Sequence, residues 1–171
     1  MAAWDEEFVA YVAARRPALR RTAYLLSGDW HRAEDLAQAA LARLYVRWPS
    51  VQRRAAVDAY ARQVLLRLYL DERRLRSSDE VPVADPQPAA STADPAAPAA
   101  DRLDLMSALA RLPVRQRAVL VLRFWEDLPV DTVARALDLP SGTVKSLSSR
   151  GLEALRRDLA VPTLVDRMED D

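Results

Sequence analysis

Lys145, Ser146, Ser149 and Arg150 are the residues whose type and spacing most directly carry a chemistry, and that chemistry is contact with nucleic acid. They lie in DTVARALDLPSGTVKSLSSRGLEALRR, residues 131–157. Val133 and Leu137 give a short helix an apolar face, Leu139 lies in a turn, and Val144 begins the buried stripe of a second helix, which is helix-turn-helix spacing. Ala134 is small where the two helices cross, and Ser141 is placed to cap the second. The four polar residues then project opposite Val144, near the N-terminal half, where a recognition helix meets base edges. Lysine and arginine read guanine edges, and serine serves bases or phosphates. Taken alone, the pattern also fits a plain helical hairpin with a solvated basic face.

Other chemistries lack their parts. There is no cysteine and one histidine, His31, so thiolate catalysis, disulfides and Cys- or His-based zinc sites are excluded. Glu34 and Asp35 form a carboxylate pair, but neighbours on a helix point apart and no base, metal or phosphate site accompanies them. With three glycines in the chain there is no Gly-rich phosphate loop. The expectation is a protein that is not an enzyme and uses no metal or cofactor. No uncharged apolar run approaches the roughly twenty residues of a membrane span, and the acidic start Asp5, Glu6, Glu7 is unlike a secretory signal. A soluble, cytoplasmic protein without membrane contact follows as an expectation.

The elements that must hold the basic residues are all helical. From Trp30 to Trp48, Ala33, Leu36, Ala37, Ala40, Leu41, Leu44, Tyr45 and Trp48 fall on one stripe at helical spacing. Asp29 after Gly28 reads as its N-cap and Pro49 as its end. An earlier helix, about Glu6 to Leu26, is bent or broken near Pro17, and a third spans about Val57 to Arg76. The middle of the third, Val64 to Leu70, is apolar nearly all round and predicts burial. Later helices are expected near Arg102–Arg111, from Pro113 to about Glu126, at Val130–Asp138 and from Ser141 to about Leu159. No alternating strand pattern appears, so the fold class is all-α.

Charge and composition divide this chain of 171 residues. Its formal net charge is zero, but residues 1–76 carry fourteen arginines against nine acids, residues 77–101 five acids and no base, and residues 102–157 ten bases against six acids. Neutrality is a sum of opposites, and two modestly basic modules emerge. Between them, residues 77–101 are built of Pro, Ala, Ser, Thr and Asp, with Val81 and Val83 the only large apolar residues. Such a segment cannot form a core and reads as an extended or disordered linker. The expected organisation is a domain at 1–76, a linker at 77–101, a helix-turn-helix domain at 102–159 and an acidic tail at 160–171. The single lysine against twenty-four arginines points to a high-GC genome.

Three stretches together resemble the extracytoplasmic-function (group IV) RNA polymerase sigma factors, in particular the actinobacterial branch. They are RTAYLLSGDWHRAEDLAQAALARLYVRW (Arg21–Trp48), AYARQVLLRLYLDERR (Ala59–Arg74) and LARLPVRQRAVLVLRFWEDLPVDTVARALDLPSGTVKSLSSRGL (Leu109–Leu152). They cover about half the chain, in the family's order and spacing. The resemblance implies that the first domain is region 2, which docks on core polymerase, reads the minus-ten element and opens it. It implies that the second is region 4, which reads the minus-thirty-five element. Glu34, Asp35 and Gln38 are then the polymerase contacts. Residues 49–57 match the loop that receives a flipped base of the melted non-template strand, and Arg62, Arg67, Arg73 and Arg74 on the following helix are DNA contacts alongside Lys145, Ser146, Ser149 and Arg150. Implied partners are RNA polymerase core, promoter double-stranded DNA, the melted strand and an anti-sigma factor. Against these stand two other readings, a conventional helix-turn-helix regulator and a sigma-like adaptor without initiation activity.

Four residues depart from the family pattern. Ala39 replaces a usual glutamate in the docking helix, Arg67 a common asparagine, Leu147 an Arg or Gln, and Ser148 an apolar residue. The last two imply either a recognition helix with a rotated face or a Leu147 contact to a thymine methyl. The linker sets a further constraint. Two promoter elements somewhat under two duplex turns apart lie on the order of 60 Å from each other at ~34 Å per turn. An extended Pro-rich linker reaches roughly 75 Å, whereas a random coil of that length averages about 28 Å. The linker must therefore be held extended, and the resemblance assigns that task to the polymerase.

Overall fold

The structure, a computed structural model, describes residues 3–51, 54–78 and 99–159, and among them every regular element is helical. The all-α reading holds. The chain divides into two compact units, Met1–Ser91 and Thr92–Asp171. Most of the expected linker, residues 79–98, and the expected tail, 160–171, lie outside the described residues.

The first unit consists of α1 (Ala3–Ser27), α2 (Trp30–Arg47), a 3-10 turn (Trp48–Ser50) and α3 (Arg54–Ser78). The corner between α1 and α2 follows from local chemistry. Gly28 takes a left-handed φ of 75°, which costs little without a Cβ, and the Asp29 side chain accepts the Arg32 N–H at 3.0 Å as an N-cap. At the far end, Pro49 stands at the start of the 3-10 turn and stops α2 one residue short of the expected Trp48. Helix α1 does not break at Pro17 but runs through it. The missing amide donor costs one backbone bond there, and residues packed on α2 on either side keep the helix in register.

All three helices pack on one another. The buried stripe of α2 is Ala33, Leu36, Ala37, Ala40, Leu41 and Leu44, while α1 contributes Leu19, Thr22, Ala23 and Leu26 and α3 contributes Val57, Ala61, Val64, Leu65, Leu66 and Tyr69. Side chains such as Leu26, Leu44, Leu65 and Leu66 are essentially inaccessible, and each contributes roughly 1.5–3 kcal/mol by leaving water. Exposed ion pairs contribute about 0–1 kcal/mol. Apolar packing therefore decides the position of α2.

The second unit contains α4 (Ala99–Arg111), α5 (Val114–Leu120), α6 (Val130–Leu137) and α7 (Ser141–Leu159). Helix α4 begins three residues earlier than expected. The continuous helix expected up to Glu126 instead widens after Leu120 into a π turn, Val121–Trp125. There the Glu126 N–H donates to the Val121 carbonyl at 3.0 Å and the Leu128 N–H to the Leu122 carbonyl at 3.1 Å. Asp127 is left-handed with φ 52°, and the Arg123 guanidinium donates to the Leu128 carbonyl at 2.7 Å. Trp125 and Phe124 at this turn are each 53% exposed.

Helix α7 packs on α5, α6 and α4, and at Gly151 its backbone comes close to Leu120. A Cβ there would lie 2.9 Å from Leu120 Cδ1 and 3.0 Å from its Cγ, and Leu120 is itself buried. Gly142 has nothing within 4 Å of its Cβ position. Gly151→Ala is therefore expected to lose about 1–2 kcal/mol of stability, because overpacking outweighs the helix-propensity gain of roughly 1 kcal/mol. Gly142→Ala should gain about 0.5 kcal/mol. Urea unfolding of the two variants beside the parent chain checks both signs.

Candidate nucleic-acid interface

Helix α7 is aimed by the turn that precedes it. Asp138 adopts the left-handed conformation, φ 53° and ψ 51°, and its N–H bonds back to α6, while the Leu139 N–H donates to the Ala134 carbonyl at 2.9 Å. The Pro140 carbonyl accepts the Val144 N–H at 3.1 Å, so Ser141 is the first helical residue and not the cap. Its hydroxyl donates to Asp131 Oδ1 at 2.8 Å, which ties the start of α7 to the first turn of α6. The expected Ser141 cap is corrected on this geometry, because a carboxylate across the turn captures the hydroxyl.

Val144, Ser148 and Gly151 form the buried side of α7. Lys145, Ser146, Ser149 and Arg150 are all exposed. At about 100° per residue they occupy a sector of roughly 140° on the opposite side. The rotated face considered for Leu147 and Ser148 does not occur: Ser148 keeps the inward position, with a buried hydroxyl that has no hydrogen-bond partner, and Leu147 is half-buried. Sequence reasoning stopped at Arg150 and missed Arg156 and Arg157, exposed in the last turn of α7. Helical phase puts both in the same sector, with Glu153 between them and Arg150. Continuing the 3.6-residue count would have found them.

The four arginines assigned to α3 do not form one face. Arg62 and Arg73 lie within about 20° of each other around the helix, and Arg67 and Arg74 form a second pair about a third of a turn away. The first pair is half-buried and the second exposed. The Arg73 guanidinium sits over the Tyr69 ring, 5.8 Å from its centroid. Arg67 and Arg74 are thus the more exposed pair.

On α2 the expected polymerase contacts also separate. Asp35 and Gln38 are exposed, but Glu34 is the hub of the α1–α2 corner. Arg16 pairs with its Oε1, Arg20 reaches Oε2 at 3.3 Å, and Gln38 Nε2 donates to Oε1 at 3.0 Å. Arg20 also covers the Trp30 ring at 4.7 Å, and Trp30 stacks on Tyr24 with centroids 3.9 Å apart. Glu34 is an internal brace before it is a surface contact. Its carboxyl is held below the ordinary value of 4.5 mainly by the hydrogen bond from Arg16, against a smaller opposing effect of burial. His31 is exposed. Among the described residues no three acidic or histidine side chains are gathered that could hold a metal ion, and no helix is long and apolar enough to cross a membrane.

Residues 11–78 match the family Sigma-70 region 2, and residues 108–157 match Sigma-70, region 4. The chain belongs to the sigma-70 family. The RNA polymerase sigma-E factor of Streptomyces coelicolor is 40% identical to it over 158 residues, 92% of this chain and 89% of the relative. That of Streptomyces avermitilis is 41% identical over 153 residues, 90% of this chain and 85% of the relative. The ECF RNA polymerase sigma factor SigW of Bacillus subtilis is 28% identical over 168 residues, 91% and 90% of the two chains. In fold, this sigma factor is similar to the sigma factor RpoE of Bartonella quintana, solved in complex with the anti-sigma factor NepR. That likeness has a TM-score of 0.77 at 24% identity and covers 91% of this chain and 98% of that one.

The lowered Glu34 carboxyl has a definite sign in stability. A carboxylate whose folded value is depressed stabilises the fold above its unfolded value and ceases to do so as pH falls through the folded one. Glu34→Gln is accordingly expected to lower the thermal midpoint of the sigma factor at pH 7, with the gap to the parent narrowing as pH drops below 4.5. A gap that stays constant down to pH 3 would show that the charge on Glu34 is not what stabilises the fold.

Proposed function

We propose that this sigma factor directs core RNA polymerase to promoters by dividing the work between its two units. The region 2 unit docks on core through the exposed side of α2, with Asp35 and Gln38 as outward contacts and Glu34 holding α2 against α1. It reads and opens the minus-ten element, with Arg67 and Arg74 on phosphates and Arg62 and Arg73 nearer the packed side of α3. The region 4 unit places α7 in the major groove of the minus-thirty-five element. There Lys145, Ser146, Ser149 and Arg150 face the bases, and Arg156 and Arg157 face the backbone. The observation that carries this reading is the pair of family matches in one chain, 11–78 and 108–157. A helix-turn-helix regulator accounts for the second match and leaves the first unexplained, and a sigma-like adaptor leaves the basic outer face of α7 without a use.

The activity is one of recognition and not of catalysis, and its place is the cytoplasm, with the polymerase. The domain plan is region 2 at 1–76, a linker at 77–101, region 4 at 102–159 and an acidic tail. An anti-sigma factor is a further partner, in keeping with the complex of the Bartonella quintana sigma factor. Two modestly basic modules gain affinity when held together, and core polymerase supplies the scaffold that keeps the linker extended.

Run-off transcription with core polymerase and genomic promoter fragments is the test. Initiation is expected at specific sites only when the sigma factor is present, while the free protein binds the same fragments weakly and without preference. Tight sequence-specific binding by the free chain would overturn the scaffold role.

The two classes of α7 contact separate by salt and sequence. Lys145→Ala or Arg150→Ala should cost about 1–3 kcal/mol at one base position and relax preference there. Arg157→Ala should weaken binding to all sequences alike and reduce the salt slope by about one. Holoenzyme binding to a promoter series at several salt concentrations distinguishes them.

A further inference from the structure

Helix α1 holds both ends of the connection between α2 and α3. At the α2 end, the rings of Phe8 and Tyr11 lie 5.1 and 5.2 Å from that of Trp48. Val12 and Val51 pack beside them against the core formed by Leu41, Leu44, Val57 and Ala61. At the α3 end, the Tyr11 hydroxyl donates to Asp58 Oδ1 at 2.9 Å, and Arg15 pairs with Asp58 Oδ2 at 2.7 Å. Tyr11 and Arg15 stand one turn apart on α1, so a single helix face takes both oxygens of one carboxylate. Tyr11 serves both ends at once, its ring on Trp48 and its hydroxyl on Asp58.

This brace is separable from the core. No residue from Trp4 to Ala18 is buried, whereas Leu19, Thr22, Ala23 and Leu26 are. Pro17, at the border, removes one bond of the helix ladder. The N-terminal half of α1 thus rests on half-buried rings and a polar latch, and it loosens more cheaply than the bundle beneath it. Asp58 also lies one turn before Arg62, whose charge acts on the Tyr11 hydroxyl.

We infer that Tyr11, latched by Asp58 and flanked by Arg15, is a positioning residue for promoter opening: it fixes the separation between Trp48 and the first turns of α3. The inference rests on the proposed reading of region 2 as the strand-opening unit. An unstacked base needs a ready-made seat to offset its lost stacking, and a seat whose two supports are already spaced takes it without a further ordering cost. Tyr11→Phe is the informative change, because it keeps the ring on Trp48 and removes only the bond to Asp58.

Holoenzyme assembled with full-length Tyr11→Phe or Asp58→Asn is compared with the parent in three assays. These are core binding, thermal midpoint, and affinity for a single-stranded non-template oligonucleotide spanning the melted segment of a promoter on which the parent initiates. Tyr11→Phe is expected to weaken oligonucleotide binding about tenfold, the size of one hydrogen bond to a charged acceptor, with core binding within about twofold. Asp58→Asn should reproduce the loss, and the double variant should add nothing to the greater single effect. Parental oligonucleotide affinity in Tyr11→Phe overturns the inference, and so does a loss matched by an equal loss of core binding. A parent holoenzyme that binds core but captures no strand would sink the reading of region 2 itself, an outcome visible before any variant is made.

Discussion

Helices α1 and α3 both pack closely on α2 because Ala33, Ala37 and Ala40 on its buried side are small and wholly inaccessible. A larger side chain at any of them would push α1 or α3 outward, since packed interiors absorb even one added methylene poorly. The leucines at 36, 41 and 44 fill the space that close approach leaves. Everything else in the first unit inherits its position from this contact. Glu34 meets Arg16 and Arg20 only because α1 lies alongside α2, and Asp35 points outward because its neighbours Leu36 and Ala37 point inward.

The same contact explains why the polar groups of α2 divide as they do. A carboxylate at 34 lies at the edge of the buried stripe, where arginines from a neighbouring helix reach it. One residue later the side chain has turned through about 100° into solvent. Sequence adjacency hides this difference. Glu34 and Asp35 look like equivalent acids in a first turn, yet one is clasped by two cations and an amide and the other is exposed.

Much of the fold was legible because it obeys local rules. The stripe from Ala33 to Leu44, the Gly28–Asp29 corner, the stop at Pro49 and the inward phase of Val144 all follow from residue type and the 3.6 period. What escaped was set by groups far apart in the chain. The π turn at Val121–Trp125 contains no Gly or Pro to announce it and accompanies a guanidinium held on the Leu128 carbonyl. Ser141 has the right type for a cap but loses its hydroxyl to an acid ten residues away. The α3 arginines were named as a group although their spacing of five, six and one already places them on two faces. Continuity through Pro17 was underestimated because local rules count the lost backbone bond and not the packing that holds both halves in line. For the candidate interface, the exposed sector of α7 could be read from the inward residues alone, whereas the Tyr11–Asp58 latch, spanning 47 positions, could not.

The seat of α7 on its neighbours carries a consequence for descent. The helix rests on Leu120 through a bare glycine backbone, with Val144 and Ser148 along the same side, and none of the outward residues takes part in that seat. Positions 145, 146, 149 and 150 are thus outside the packed side of α7, and Ser146 alone among them makes a local bond, its hydroxyl donating to the Thr143 carbonyl at 3.1 Å. Under the proposed reading of α7, a duplicated gene that drifts at these four codons acquires a new target sequence while its product keeps its core packing, so that address and architecture are inherited as separate traits.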